Sequence, residues 1–406
     1  MRSFKDLLPI FLIVFFGSIG YSLIITIFTP MLLKGDLLSF DTPIEKRVLA
    51  LGFILAYYPF GQFISSPTLG ALSDRFGRRP ILVYSLIITT IVYLLIALGI
   101  YLKSYSIISF ALLTAGFSEG NTTISQSVIA DTVSKEERGR FFGYYYLSIA
   151  IAFILGPFIG GKLADPDFYP WFSYMTPFLF VALLLFFTLI WIYFGFQETH
   201  SKEHREKISY FDALTNLKKI FTMRHILPYF FANFLIFIGI FGFFQGFPIY
   251  AVEKFRLNVT MLGILIAWSS VPFLLVNLFL IHSIARRLNP LKQVVISAVW
   301  VGIWLLIGLI QKFEWSLWLI AFLIGSGIAL CLPASSTMLS YLVTSKEQGR
   351  VLGNHLSLQF FSEAFVGITI GFMASLHLEF TIIVFAFSSI FGAFFLLYLD
   401  KRKGLH

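Results

Sequence analysis

Two acidic residues stand inside long apolar stretches of this sequence and are its first candidates for chemistry. Glu119 is followed by three polar residues at helical spacing, so a helix would present all four on one face; the three are Thr122, Thr123 and Gln126. A carboxylate near the middle of a membrane costs a few kcal/mol, so it should face a water-filled cavity or be protonated. Glu119 is therefore predicted to bind and release a proton. The alternative is an acid that is only hydrogen-bonded within a helix bundle.

A second polar stripe lies nearer the carboxyl-terminal end of the chain. His355, Gln359 and Glu363 are four residues apart, so they share one helical face. Glu363 is a second candidate for proton coupling, with Gln359 beside it in a cavity, and a purely structural acid is the alternative. His355 stands close to the end of its segment and is expected to be structural. Further cavity candidates, for each of which helix packing is an equal alternative, are Gln62, Asn233, Gln245, Trp268 and Asn277.

The composition places these residues in a membrane protein. Of the 406 residues, 58% are hydrophobic and 13% are charged, whereas about a quarter of an ordinary soluble domain is charged. The net charge of +9 is explained by basic loops, so no nucleic-acid partner is expected. The single cysteine, Cys331, excludes an intrachain disulfide. The sequence shows no nucleophile–base pair, metal-ligand spacing or phosphate-binding glycine loop, so neither an enzyme nor a cofactor is expected.

Twelve apolar segments are long enough to cross a bilayer, and lipid requires such segments to be helices. Their approximate bounds are 7–33, 48–70, 80–102, 105–131, 141–164, 172–196, 227–251, 258–282, 292–311, 315–343, 351–376 and 379–399. The predicted fold class is an all-α polytopic membrane protein with 12 transmembrane helices. Most of the 30 Lys and Arg residues fall in loops on the side that carries both chain ends. Both termini are therefore expected in the cytoplasm.

The chain divides into two six-helix halves at its longest polar interruption. The predicted domains are an N-terminal half at 1–197, a cytoplasmic linker at 198–226 and a C-terminal half at 227–406. Internal repeats support the division, because Ser134–Arg140 returns as Ser345–Arg350 and the loop at Arg75 returns in degenerate form as Ser283–Pro290. Two parallel halves around a midplane site are the architecture that such repeats indicate.

The loop Gly70–Pro80 reads Gly-Ala-Leu-Ser-Asp-Arg-Phe-Gly-Arg-Arg-Pro. Gly70 and Gly77 permit tight backbone turns, and Pro80 suits the start of a helix. This string resembles the loop between helices 2 and 3 in the major facilitator superfamily of secondary transporters.

That resemblance implies a latch on the cytoplasmic side, closed when the transporter faces outward and broken when it faces inward. In it Asp74 would meet the backbone near Gly349–Gly353, and Arg75 would pair with Asp131. The alternative is that the arginines only enforce topology. The predicted latch comprises Gly70, Asp74, Arg75, Gly77, Arg78, Arg79 and Asp131.

The fifth apolar segment carries a series of small residues with one proline. The series is Gly143, Ala152, Gly156, Pro157, Gly160 and Gly161. It resembles the signature of drug:proton antiporters, with Ala152 in place of one glycine. Small residues let helices approach closely, and a proline bends a helix. The resemblance implies a kinked interface between the halves and favours export, while ordinary helix packing is the alternative.

Across nearly the whole chain the sequence resembles the tetracycline-efflux-like branch of these antiporters. The motifs that carry the resemblance are Gly70–Pro80, Val128–Asp131, Glu137–Arg140, the series in the fifth segment and Gln197–Thr199. Two departures concern proton handling. That branch usually carries an acid in its first helix, whereas Phe16–Gly20 holds none. It also usually carries an arginine early in its fourth helix, where Leu112 or its neighbours stand here. Glu119 appears instead, where a small residue would be expected. The scaffold and latch are therefore carried over, and the substrate and coupling are not.

The expected function is proton-coupled efflux of small amphiphilic or cationic molecules by alternating access. Two acids, with no arginine or lysine deep in the membrane, suit a cavity for cations or neutral polar groups. The expected partners are a small-molecule substrate, protons and the lipid bilayer, and the resemblance implies a monomer in the inner membrane. One alternative is a metabolite or siderophore transporter on the same fold, including an importer. Another is a non-transporting, receptor-like membrane protein.

Overall fold

The computed structural model describes residues 4–38, 41–133, 138–199, 226–280, 284, 287–343 and 345–403. In these ranges the chain forms helices and no strands, because the backbone of a membrane-spanning segment must satisfy its hydrogen bonds within the segment.

The helices follow the apolar segments closely. The α-helices are α1 (Phe4–Leu33), α2 (Ile44–Phe76), α3 (Arg78–Tyr101), α4 (Tyr105–Ser118), α5 (Asn121–Thr132), α6 (Arg138–Leu163), α7 (Thr176–Gly195), α8 (Leu227–Phe255), α9 (Val259–Leu275), α10 (Pro290–Ile310), α11 (Glu314–Ser340), α12 (Ser345–Thr369) and α13 (Ser375–Lys403). Short π-helical segments, Val276–Leu280 and Ile370–Ala374, extend α9 and α12.

Eleven helices of the described ranges are long and apolar enough to cross a membrane. The twelfth expected span, 105–131, is present as two helices in series, α4 and α5, each too short to cross alone. The chain is therefore a multi-pass membrane protein, and one of its spans is broken near the middle.

The N-terminal helices (α1–α7) and the C-terminal helices (α8–α13) each enclose a hydrophobic core. One core is formed mainly by residues between 7 and 196, and the other by residues between 226 and 396. Within the first group α1 packs on α6 and α3 on α7; within the second α13 packs on α8 and α10. Between the groups, α6 packs along α9 and α2 along α12.

The bundle has two ends, which we call the basic end, where α2 joins α3, and the opposite end, where α1 ends and α2 begins. The two helix groups meet closely at the opposite end. At the opposite end Gly52 of α2 lies directly against the backbone of Gly367 and Gly371. On the other side of the bundle Gly263 of α9 lies against the Pro157 carbonyl of α6. Neither contact leaves room for a Cβ atom, so glycine permits both close approaches.

Toward the basic end the same helices have open space beside them. A Cβ atom added at Gly143 of α6, or at Gly353 of α12, would meet no atom of the described residues within 4 Å. The contacts described between the two groups lie at the opposite end and at mid-membrane. The structure is therefore shut at the opposite end.

Candidate functional site

The broken span places a carboxyl group at its break. Helix α4 ends at Ser118 and α5 begins at Asn121, so Glu119 and Gly120 form the junction. The Thr122 amide donates to the Glu119 carbonyl at 3.2 Å, and the Thr123 amide donates to the Gly120 carbonyl at 3.1 Å. Non-helical backbone at membrane depth is tolerated where protein buries it or where it lines a cavity. Sequence reasoning missed this break, although Gly120 beside a charged residue was a signal for it.

The Glu119 side chain points into the bundle and is 3% exposed. The Tyr93 hydroxyl of α3 donates to its carboxylate at 3.4 Å. On the other side a Cβ atom at Gly17 of α1 would lie 3.1 Å from Glu119 Oε2. The acid therefore fills the space beside a glycine of α1, within the stretch Phe16–Gly20 that holds no acid of its own.

The polar residues expected on one face with Glu119 contact three different helices. Glu119 lies against α1, Thr123 packs on Gly70 of α2, and Thr122 and Gln126 face the Tyr145 hydroxyl of α6. Glu119 also lies close enough to Tyr145 to act on it electrostatically, so Glu119, Thr122 and Gln126 share this neighbour across the break between α4 and α5. The single face expected for the four residues stays a prediction.

Glu363 is the second buried acid, 4% exposed on α12. The Tyr21 hydroxyl of α1 donates to its carboxylate, so this bond joins the N-terminal helices to the C-terminal ones. Gln245 of α8 donates to the Glu363 backbone carbonyl at 3.2 Å, and this bond holds Glu363 within the C-terminal helices. Gln359, one turn before Glu363, is half-buried.

Two tyrosine rings connect the surroundings of the two acids. The Tyr21 ring stacks on Tyr58 of α2 with centroids 4.8 Å apart and planes at 22°. The Tyr58 hydroxyl is directed toward Glu119, and it has no hydrogen-bond partner of good geometry among the described atoms. The order Glu119, Tyr58, Tyr21, Glu363 thus crosses the interface between the two helix groups.

The remaining polar candidates lie on several different helices. Asn233 donates to the Tyr229 carbonyl of its own helix at 2.8 Å. His355 is buried beside Ser335, with 3.1 Å between its Nε2 and the Ser335 Oγ. Trp268 is on the exposed surface of α9, where its ring nitrogen donates to the Trp318 carbonyl. Gln62 is buried in α2, and the side chain of Asn277 lies outside the described part of the chain.

The charged cluster at the basic end is centred on Arg78. This residue is 5% exposed; its Nε donates to Asp131 Oδ2 at 3.0 Å, and its Nη1 donates to Ser73 Oγ at 2.6 Å. It also forms an ion pair with Asp74. Among the described side chains Asp131 is thus bound by Arg78, where the resemblance implied Arg75; Arg75 is exposed and lies over the Phe76 ring.

The turn at Gly77 explains why Arg78 takes the contact with Asp131 that was expected of Arg75. Its φ of 105° is open to glycine and strained for other residues, and this turn makes Arg78 the first residue of α3. Gly70, by contrast, is helical and forms no turn, because α2 continues to Phe76.

The end of α7 and the residues that follow it also contact this cluster. Glu198 accepts hydrogen bonds from the backbone amides of Arg78 at 2.9 Å and Arg79 at 3.2 Å. An acid at a helix N-terminus satisfies free amides and favours the helix dipole. The Arg79 side chain donates to the Tyr193 carbonyl of α7 at 2.6 Å. The motif Gln197–Thr199 was recognised in the sequence only by resemblance, and its contact with α3 is a structural finding.

Part of the expected contact of Asp74 with α12 falls on residues outside the described part of the chain. The repeat residues 134–137 lie outside the described part of the chain, as do the side chains of 138–140 and 345–350. Gly353 has open space beside it, and the described ion pair of Asp74 is with Arg78.

The small residues of α6 serve two different contacts. Gly156 and Gly160 lie against Ser22 and Leu23 of α1, within the N-terminal helices. Gly161 and Pro157 face α9, where a Cβ atom at Gly161 would lie 2.9 Å from the Val259 carbonyl oxygen. Only the last part of the series therefore forms the contact between the two helix groups.

Replacing Arg78 by alanine is expected to destabilise the protein by about 1.5–3 kcal/mol, because hydrogen bonds to charged groups contribute about that much. The measurement is the thermal unfolding midpoint in detergent. Arg75→Ala is the matched control, and we expect a smaller loss from it because Arg75 is exposed. Equal losses would contradict the assignment of Asp131 to Arg78.

Comparisons with known proteins agree with this fold. The sequence model of the Major Facilitator Superfamily matches residues 10–290. The chain is 27% identical over 361 residues to the class C tetracycline resistance protein of Escherichia coli, covering 88% of this chain and 87% of that one. It is 24% identical over 400 residues to multidrug resistance protein 2 of Bacillus subtilis, covering 96% and 95%.

A solved structure shows the same architecture. The human organic anion transporter MFSD10 superposes with a TM-score of 0.71 at 18% identity, covering 98% of this chain and 100% of that one. The fold class expected from the sequence is confirmed. Because the family model spans well over half of its length, the chain belongs to the major facilitator superfamily of secondary transporters.

Proposed function

We propose that this chain is a proton-coupled efflux transporter of small amphiphilic or cationic molecules. The observation that carries the proposal is the pair of buried acids, Glu119 and Glu363, one in each helix group. Tyr21 donates to one acid and stacks on the tyrosine that faces the other. A change of protonation at either acid therefore acts where the two groups meet.

The site favours an aromatic cation as substrate. The carboxyl group of Glu363 supplies negative charge, and the ring of Tyr21, which donates to it, lies against the rings of Tyr58 and Phe153. Aromatic faces attract cations, and a carboxylate attracts them over longer distances. Two relatives are named for tetracycline resistance and multidrug resistance, and resistance by removal of the drug supports export as the direction.

The proposal includes an orientation and a division of the chain. The basic end, with Arg78 and Arg79, faces the cytoplasm of a bacterial-type inner membrane, since basic loops stay on that side. The opposite end is then external, and the structure is an inward-open state. Two halves, 1–197 and 227–406, move about the acids, while 198–226 links them in the cytoplasm. The transporter acts as a monomer and is driven by the proton gradient.

Ethidium uptake into proteoliposomes tests the proposal. Ethidium is a permanent aromatic cation, so a pH gradient does not trap it without a transporter. Exchange for protons predicts accumulation inside vesicles with an acidic interior, whichever way the protein is inserted, and loss of accumulation with nigericin. Accumulation only with an alkaline interior would indicate symport and contradict export. A complete lack of flux would favour the receptor-like alternative.

A further inference from the structure

A side-chain bond at the opposite end also joins the two helix groups. The Thr260 hydroxyl, in the first turn of α9, lies 2.5 Å from Asp165 Oδ2 and 3.2 Å from the Gly161 carbonyl oxygen. Asp165 follows the end of α6 and is only 8% exposed. The bond therefore connects a buried carboxylate of the N-terminal helices to a helix N-terminus of the C-terminal helices.

The partners on each side are held in position by their own groups. Asp165 Oδ1 accepts a hydrogen bond from the Asp167 amide at 3.0 Å, which orients the carboxylate. On α9, Asn258 caps the helix by accepting from the Met261 amide at 2.8 Å. A carboxylate beside a helix N-terminus is stabilised by the helix dipole. The bond between Thr260 and Asp165 can therefore form without rearrangement within either helix group, as soon as the two groups approach each other.

That approach is possible only when α6 and α9 are close together. Gly161 is adjacent to Val259, and Gly263 to the Pro157 carbonyl, with no room for a Cβ atom. Separation of α6 from α9 at this end would pull Thr260 away from Asp165 and exchange a hydrogen bond to a charged group for contact with water, which costs about the net value of such a bond.

We propose that Asp165 and Thr260 form a clasp that holds the opposite end shut, and that the clasp opens each time this end opens. The inference rests on the proposed function in taking the opposite end as the external gate. Asp165 and Thr260 are positioning residues, since they set the balance between the two states without touching the substrate.

Distance measurements between spin labels test the clasp directly. Tyr101 and Lys312 are exposed at the opposite end, one in each helix group, and the single native cysteine is buried. In a Cys331→Ala background, Tyr101→Cys and Lys312→Cys carry the labels in the full chain in lipid nanodiscs. Thr260→Val removes the hydroxyl with little change in shape, and Asp165→Asn removes the charge.

We expect each substitution to raise the ratio of open to shut populations about tenfold, because a hydrogen bond to a charged group contributes about that factor. Tyr174→Phe is the matched control, since the Tyr174 hydroxyl donates to Asp36 at 3.0 Å within the N-terminal helices. Burial and the Asp36 carboxylate raise the pKa of Tyr174, so it remains a donor during the measurement. This control should leave the distances unchanged.

An unchanged distance distribution in Thr260→Val would overturn the clasp, whether or not Asp165→Asn folds. So would an equal change in Tyr174→Phe. The measurement does not depend on proton coupling, so its result stands apart from the ethidium assay. A shift in distances without proton-driven flux would support the clasp and refute the proposed function.

Discussion

Replacing Glu119 by glutamine is expected to reduce ethidium accumulation driven by a pH gradient to the background of protein-free liposomes. Glutamine keeps the size of the side chain and can still accept the hydrogen bond from Tyr93, but it cannot bind and release a proton. The packing against Gly17 is preserved because the two side chains are nearly isosteric. The loss should therefore concern coupling and not folding.

Two measurements separate loss of coupling from loss of the protein. Exchange of labelled for unlabelled ethidium without a gradient should continue in Glu119→Gln, since it needs no net proton movement. Glu314→Gln, at an exposed acid that begins α11, is the matched control and should retain gradient-driven accumulation. If Glu119→Gln accumulates ethidium as the unchanged protein does, this residue has no part in coupling.

The second large effect is expected at the bond between Tyr21 and Glu363. Glu363→Gln should also abolish gradient-driven accumulation, because this acid is the titratable group at the contact between the helix groups. Tyr21→Phe keeps the ring that stacks on Tyr58 and removes only the hydroxyl. We expect it to slow accumulation about tenfold, as is usual for the loss of a hydrogen bond to a charged partner.

The double variant shows whether the two residues act together. Residues that act through one bond have non-additive effects, so in the exchange of labelled for unlabelled ethidium without a gradient, Tyr21→Phe should cause no further loss once Glu363→Gln is present. Tyr105→Phe is the control, since Tyr105 donates to the Ala50 carbonyl of α2 within the N-terminal helices. A loss in Tyr21→Phe no larger than in Tyr105→Phe would show that the bond to Glu363 is not used in transport.

Several features of this site follow from local sequence and were predicted. The twelve spans have the expected bounds to within a few residues, except that the fourth is divided at Glu119 and Gly120. Glu119 and Glu363 were expected inside the membrane, and both are buried. The single polar face expected in the fourth span stays a prediction, because helical spacing holds only where the helix is continuous and this span is divided.

The sequence by itself determined that the chain is a helical membrane protein, because a long apolar segment in lipid has few other ways to satisfy its backbone. It also identified the family, since the loop Gly70–Pro80 is a local string. Only the tertiary structure decided that Arg78 meets Asp131, 53 positions away, and that Tyr21 meets Glu363, 342 positions away. Such contacts depend on how separate helices pack and where the chain turns, and no periodicity within one helix contains that information.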